Sequence, residues 1–364
     1  MYDAMKVAPM FAIEGTPVKC ELYGCGHIND TYRVFCDNGN IYTLQRINSR
    51  VFPNVKGLMN NIVSVTAFLR EKVLAEGGNP ERDCLQVIPL KNGDWYLRDG
   101  DDYWRMLIYI DDAITLQTPE EPHDFYHAGC AFGKFQQMLS DFPADTLCEV
   151  IEGFHNTRMR FEQLEKAIAE NKSGRVADVA DEIAFARERE ADCSVLIDML
   201  ANGELPLRVT HNDTKLNNVL LDPVTKEPVA VVDLDTVMPG LSLYDFGDSI
   251  RFGASSAAED EADLDKVYFC MDLFEAYTKG YMEAVAKIIT PAEAKSLALG
   301  ALVITYEQGI RFLGDYLNGD VYFKVHREGQ NLDRARTQFK LVKEMEERMD
   351  EMQAIVDKYY QLAK

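Results

Sequence analysis

The chain is predicted to be an α+β protein of two lobes. Residues 1–110 would form an N-terminal antiparallel β-sheet lobe with one helix, and residues 111–364 a larger, mainly helical C-terminal lobe with an embedded β-hairpin. Three observations predict this. The first hundred residues hold short runs rich in β-branched and aromatic residues, separated by Asn-Gly turns. After Asp111, apolar residues recur at three- and four-residue steps over long stretches. Among those helices lies one strand-like run, Pro228 to Val232, that ends on an acidic residue.

Residues 18–23 and 31–35 read as strands around the break Gly24-Cys25-Gly26, and Asp37-Asn38-Gly39-Asn40 turns the chain into a strand at 41–47. A helix at 54–75 places Leu58, Ile62, Val65 and Leu69 on one face and ends at Gly77-Gly78. Strands at 84–90, 95–98 and 103–110 complete the sheet, with Lys91-Asn92-Gly93-Asp94 as a second turn. An extended crossover near 108–111 leads to helices expected at 123–139, 155–169, 176–200, 263–285, 291–318 and 333–363. Residues 254–262, Ala/Ser followed by acids, read as a solvated loop.

A chain of 364 residues, 47% hydrophobic and 27% charged, can bury a sizeable core and form two domains. Its eight cysteines fall at irregular spacings with no C-x-x-C pair, which argues against a zinc or redox site. There is no basic stretch leading into an apolar leader and no apolar run of membrane-spanning length, so a reduced, cytoplasmic protein is expected. The net charge of −22 excludes nucleic acid and anionic membranes as partners. The first 110 residues are close to neutral, so nearly all of that charge falls on the helical part.

The chemistry concentrates in His211-Asn212-Asp213-Thr214-Lys215-Leu216-Asn217-Asn218 and, twenty residues beyond Asp213, Asp233-Leu234-Asp235. An H-x-D-x-x-x-x-N spacing followed by a strand pair and a second aspartate is the kit of phosphoryl transfer. Asp213 is the candidate base that orients and deprotonates an attacking hydroxyl. Asn218 and Asp233 are candidate oxygen ligands for Mg2+, and Asp235 is a second metal ligand or a contact to the acceptor. The string Asp245-Phe246-Gly247 comes too late for the metal aspartate and is assigned a structural role, bonding the catalytic-loop backbone or a helix start. A nucleotide, ATP as phosphoryl donor, is expected at the crossover with Ile108 and Ile110 beside it, covered by the Gly24 and Gly26 hairpin. The strand that would present a phosphate-binding lysine reads Leu44-Gln45-Arg46-Ile47. Gln45 and Arg46 face opposite sides, and only Arg46 could substitute for the charge. The 54–75 helix carries Asn60 and Asn61 but no acid before Glu71, so the usual Lys–Glu pair has no obvious counterpart.

The stretch from Thr210 to Asn218 together with Asp233-Leu234-Asp235-Thr236 resembles the aminoglycoside phosphotransferase and choline kinase superfamily, which has a protein-kinase-like fold. Longer strings resemble its bacterial N-acetylhexosamine 1-kinase subgroup: Tyr244-Asp245-Phe246-Gly247-Asp248-Ser249-Ile250-Arg251-Phe252-Gly253, Gly26-His27-Ile28-Asn29, Arg311-Phe312-Leu313 and Gly319-Asp320-Val321-Tyr322-Phe323. The resemblance implies ATP- and magnesium-dependent phosphorylation of the anomeric hydroxyl of N-acetylglucosamine or N-acetylgalactosamine. It also implies that His27, Phe252, Arg311 and Tyr322 line the sugar or its new phosphate, beside Asp213 and Asp235. Arg311 lies among Ile310, Phe312 and Leu313, where an unpaired charge is costly, and its partner is either the ligand or Asp315 one turn on. Two alternatives stand beside the sugar kinase: a kinase of a cationic aminoglycoside or choline, and a nucleotide-binding pseudokinase.

Overall fold

The computed structural model describes residues 4–24 and 28–364. Gly26 and His27 therefore lie outside the described residues. The chain groups into two compact units: residues 1–115, 141–152 and 219–239 form the first, and residues 116–140, 153–218 and 240–364 the second. The α+β architecture expected from the sequence is present, with an antiparallel sheet unit and a larger helical one.

In the first unit, helix α1 (Ala4–Val7) precedes strands β1 (Pro17–Leu22), β2 (Asp30–Cys36) and β3 (Ile41–Ile47). Then come α2 (Val55–Ala75), α3 (Pro80–Asp83), β4 (Val87–Ile88), β5 (Leu97–Asp99) and β6 (Asp102–Ile108). The strands pair antiparallel in the order β1-β2-β3-β6-β4, with β5 on β6. The β2–β3 hairpin closes at Gly39, whose φ of +90° is open to glycine and costly for other residues. Asn54 caps α2 by accepting from the Gly57 N–H. One sheet face carries Val34, Leu44, Trp104 and Met106 onto the N-terminal segment around Val7 and Phe11. The opposite face carries Thr31, Gln45 and Arg105, which the strand register sets in one row.

The strand expected at 84–90 shrinks to Val87–Ile88. Pro89 has no N–H to continue the ladder, and beyond it Leu90 bridges to Phe11 instead. Strands β8 (Val219–Leu221) and β9 (Pro228–Val231) form the embedded hairpin. They group with this unit because Ile114 exchanges two 2.9 Å backbone hydrogen bonds with Leu221, while Arg82 ties the carbonyls of Asp111 and Asp112 to Asp222.

The second unit holds α4 (Pro122–Met138), α5 (Thr157–Glu170), α6 (Ala180–Glu188), α7 (Asp192–Ala201), strand β7 (Arg208–Thr210), α8 (Ser242–Gly253), α9 (Met271–Val285), α10 (Pro291–Asn318), α11 (Gln330–Glu347) and α12 (Met349–Ala363). Helix α10 runs as expected. A capping box between Thr290 and Glu293 starts it, and Gly319 in the left-handed region ends it. Its Gly300 lies against Gly247 of α8, where a Cβ would meet the Gly300 carbonyl at 2.6 Å. That close approach accounts for the glycine of the Asp245-Phe246-Gly247 string.

Two helices expected as single pieces are broken, and a third starts late. The 176–200 segment is a 3-10 turn followed by α6 and α7, because α6 packs on α10 and α11 while α7 turns onto α5 and α10. The 333–363 segment divides at Arg348 into α11 on α10 and α12 on α9 and α10. The 263–285 segment becomes helical only at Met271. Before that, Tyr268 and Cys270 bond the backbone of Ser256 and Ala254. The same bonds pin the segment read as a solvated loop: Ala254 is fully buried and Glu259 pairs with Arg251 at 2.6 Å. Among the described residues, no helix is long and apolar enough to cross a membrane.

Candidate active site

In the second unit, β7 delivers the chain to Asp213 through a loop whose backbone is held from below by α8. The N–H groups of His211 and Asn212 donate to the two oxygens of Asp245 at 2.9 and 2.8 Å, and Gln136 of α4 adds a third bond at 2.7 Å. Thr214 donates its hydroxyl to the Asp245 carbonyl at 2.6 Å and its N–H to Asp248 at 2.8 Å. Ser249 closes the set on the Thr214 carbonyl, and Tyr277 supports Ser249. Asp245 is thus the loop's buried anchor, the structural role expected for it. Burial raises its carboxyl above the ordinary carboxylate range, opposed by His211 and by the N–H donors. Asn212 takes a left-handed φ of +63°, which a short polar side chain tolerates and which lets the following aspartate turn outward.

The Asp213 carboxylate is half-buried and touches two groups. Lys215 Nζ lies 2.7 Å from Oδ1, and Asn218 Nδ2 donates to Oδ2 at 3.2 Å and to the Asp213 carbonyl at 2.8 Å. Burial alone would lower the Lys215 pKa, but Asp213 and Asp248 outweigh it and push the ammonium up to about 12. Lys215 is therefore a permanent cation beside the candidate base, and the Asn218 amide leaves its carbonyl oxygen available as a ligand. The side-chain role of Lys215 was missed in the sequence, although its place two residues after Asp213 was visible.

In the first unit, the turn after β9 carries the other two aspartates. Neither aspartate continues strand β9, which ends at Val231. Asp233 has a left-handed φ of +62°, Leu234–Thr236 is a 3-10 turn, and the alternation of a strand does not apply. Asp233 is exposed, whereas Asp235 is 4% exposed. Asp235 forms an ion pair with Arg105 and accepts from Asn29 Nδ2 at 2.5 Å. Arg105, 2% exposed on β6, also donates to Gln45 Oε1 at 2.9 Å, and Gln45 donates to Thr31 at 3.1 Å. Helix α2 steadies the same turn. Asn61 Nδ2 donates to the carbonyls of Val237 and Cys148 at 2.9 and 2.7 Å.

Arg46 sits on the other face of the sheet, ion-paired to Asp30 and Asp102. The cation paired with Asp235 of that turn is Arg105, one strand over. Its sequence signal was an arginine between Trp104 and Met106 in an otherwise buried strand. Gly24 has a φ of +83°, Ile108 ends β6, and Ile110 is buried at the crossover.

A cavity of about 200 Å3 opens in the helical unit, lined by Arg160, Gln163, Leu164, Arg311, Tyr322 and Phe323 among others. Arg311 and Tyr322 are thus brought together as expected. Asp315 does not partner Arg311: its oxygens accept the N–H groups of Val321, Tyr322 and Phe323 and the Asn331 amide, four bonds of 2.8–3.0 Å. Glu307, one turn before Arg311, is committed to His155 and Thr157. Arg311 bonds Gln308 and faces the rings of Phe154 and Phe323, while Arg160 bonds the Phe154 carbonyl and Gln163. Among the described residues neither guanidinium forms a close ion pair, although Glu307 attracts both through space. Burial, then repulsion by Arg311, lowers the Arg160 pKa, while Asp315 also lines the cavity. Phe252 is half-buried on α8. Arg160, absent from the sequence-based candidates, had no local signal.

This architecture is that of small-molecule kinases. It is similar to a microcompartment-associated aminopropanol kinase, with 13% identity over 96% of this chain and 97% of that one at a TM-score of 0.60. A choline kinase from Cryptosporidium parvum is likewise similar, with 13% identity, 98% of each chain covered and a TM-score of 0.60. The amicoumacin kinase hAmiN, solved with AMP-PNP, Ca2+ and Ami, matches with 13% identity over 95% and 94% of the two chains at a TM-score of 0.57. Residues 84–278 match the model of the APH phosphotransferase enzyme family, and the chain belongs to that family.

Proposed function

We propose that the chain transfers the γ-phosphoryl group of ATP to the anomeric hydroxyl of an N-acetylhexosamine, N-acetylglucosamine or N-acetylgalactosamine, giving the sugar 1-phosphate. In this reading residues 1–110 cover the nucleotide, and residues 111–364 carry the base and the acceptor site. Asp213 orients the anomeric hydroxyl and takes its proton as the bond to phosphorus forms. Lys215, paired with Asp213 at 2.7 Å, offers positive charge to the phosphoryl oxygens in flight.

The donor set suits magnesium. Among the described residues no cluster of three or more His, Cys, Asp or Glu could cage a metal. An amide oxygen from Asn218 and an exposed carboxylate from Asp233 are the sparse oxygen set that Mg2+ takes when phosphates and water complete its shell. When bound, the ion neutralises phosphate charge; Asn218 and Asp233 would hold it. Asp235 is committed to Arg105 and Asn29, which supports a role in placing Asp233.

The observation that carries the acceptor class is the cavity with two guanidiniums and a fully committed Asp315. In this reading the two guanidiniums favour a neutral sugar that leaves as a phosphate, which arginine clamps through paired N–H groups. In this reading Tyr322, 62% exposed, lies along an apolar pyranose face. An ADP-release assay with N-acetylglucosamine, N-acetylgalactosamine, kanamycin, choline and no acceptor tests the reading. ADP should appear only with the sugars. Turnover on choline or kanamycin alone would replace it with a cationic-substrate kinase, and no turnover on any acceptor would point to a pseudokinase.

A further inference from the structure

We infer that Arg105 is the positioning residue of the metal turn, setting Asp233 through a buried ion pair with Asp235.

Asp233 is exposed in a left-handed conformation that costs a non-glycine residue on the order of 1 kcal/mol or more, and it persists only where the surroundings impose it. Three attachments do so. Arg105 pairs with Asp235, Asn29 bonds the other Asp235 oxygen, and Asn61 fixes the Val237 carbonyl two residues further on. Arg105 is itself held by Gln45, which Thr31 holds in turn, so the guanidinium is part of a row across three paired strands. The uncharged Gln45 on β3 thus has a purpose here: it orients the cation of the next strand.

A buried ion pair gains little net stability over an apolar pair of similar volume, so its presence here calls for a use beyond stability. The geometry supplies one. Asn29 also accepts the Asn48 N–H at 3.0 Å, so Asn29, just before β2, joins the end of β3 to the Asp235 carboxylate of the metal turn. A change in that carboxylate's position moves Asp233 relative to the strands that would cover the nucleotide. This inference rests on the kinase reading for Asp233 and adds the residues that set it.

The test measures ADP affinity with and without Mg2+ in the full-length protein, without acceptor, alongside melting temperature. The paired variant Arg105→Met/Asp235→Asn leaves no unpaired buried charge. It should bind ADP in EDTA like the wild type but lose at least about ten-fold of the affinity gained on adding Mg2+, with a melting temperature within a few degrees. Should the paired variant not fold, Arg105→Lys carries the same test: charge is kept, the bond to Gln45 is lost, and the Mg2+ enhancement should fall about three-fold or more. An unchanged Mg2+ enhancement in a folded variant would reduce the pair to a structural contact and overturn the inference. Equal loss of ADP affinity with and without Mg2+ would also overturn it, making Arg105 a direct phosphate contact. A wild-type protein whose ADP binding ignores Mg2+ overturns the magnesium-kinase reading itself, and this inference with it.

Discussion

Around Asp213 the backbone donors of His211, Asn212 and Thr214 all end on carboxylates of one buried helix, α8. Around Asp233 the corresponding support comes from outside the turn, from a strand, a loop and a helix: Arg105, Asn29 and Asn61. The base loop is therefore part of the hydrophobic core of its unit, and damage beneath it shows first as instability. The Asp233 turn is tied by those side chains, and if it holds the metal as proposed, damage there should show first as altered metal dependence. The difference separates two aspartates that a motif treats alike.

The sharpest way to break the comparison is at the base. Asp213→Asn removes the proton acceptor and leaves the loop's anchors intact, so turnover should fall on the order of 10²–10⁴-fold or more, with nucleotide binding and melting temperature retained. Near-normal turnover in the folded variant would remove Asp213 from its role.

Next in size is the pair Asp233→Ala and Asp245→Ala. Asp233→Ala should weaken Mg2+-dependent ADP binding with little change in stability, as its side chain is exposed. Asp245→Ala strands two buried N–H groups and the Gln136 amide, at about 1–3 kcal/mol each, so it should lower the melting temperature strongly. Calorimetry and ADP titration on both variants decide the matter; exchanged results would make Asp245 the metal site.

A smaller effect is expected in the arginine cavity. Arg311→Leu or Arg160→Leu should cost about 1.5–3 kcal/mol of a charged contact, roughly ten- to a hundred-fold in affinity for sugar 1-phosphate, and leave ATP binding unchanged. Product titration by calorimetry reads this directly, and equal affinities would strike the cavity from the acceptor site.

The smallest expected effect is a pH dependence away from both aspartates. Burial alone would raise the Glu293 pKa, but paired bonds from Arg208 at 2.6 and 2.7 Å, the Thr290 N–H and Ser242 hold it below its ordinary 4.5. A depressed folded value means that its stability is fully present above pH 4.5 and is lost as the pH falls through that lower value. Glu293→Gln should flatten the acid limb of a plot of melting temperature against pH. An unchanged acid limb would assign that limb to other carboxylates, Glu307 and Asp248 among them, which their cationic neighbours also hold low.

The sequence by itself determined where chain order and local chemistry suffice. Helix α10 carries its own start and stop in Thr290, Glu293 and Gly319, and α2 its cap in Asn54, so both were legible within a residue. The β2–β3 hairpin announced itself through Asn38-Gly39, and the spacing of Asp213, Asn218 and Asp233 around an apolar hairpin announced the class of chemistry. Periodicity says which residues face a core but not whether the helix axis continues, and so the breaks at 189–191 and at Arg348 were invisible: each helix half answers to different neighbours. Arg105 and Asp235, 130 residues apart, meet because of strand order, and Arg160 and Arg311 because α5 lies against α10. Charges find partners by distance in space, which no local pattern encodes. Tertiary structure alone could therefore decide which aspartate is exposed, which is buried, and where the spare arginines gather.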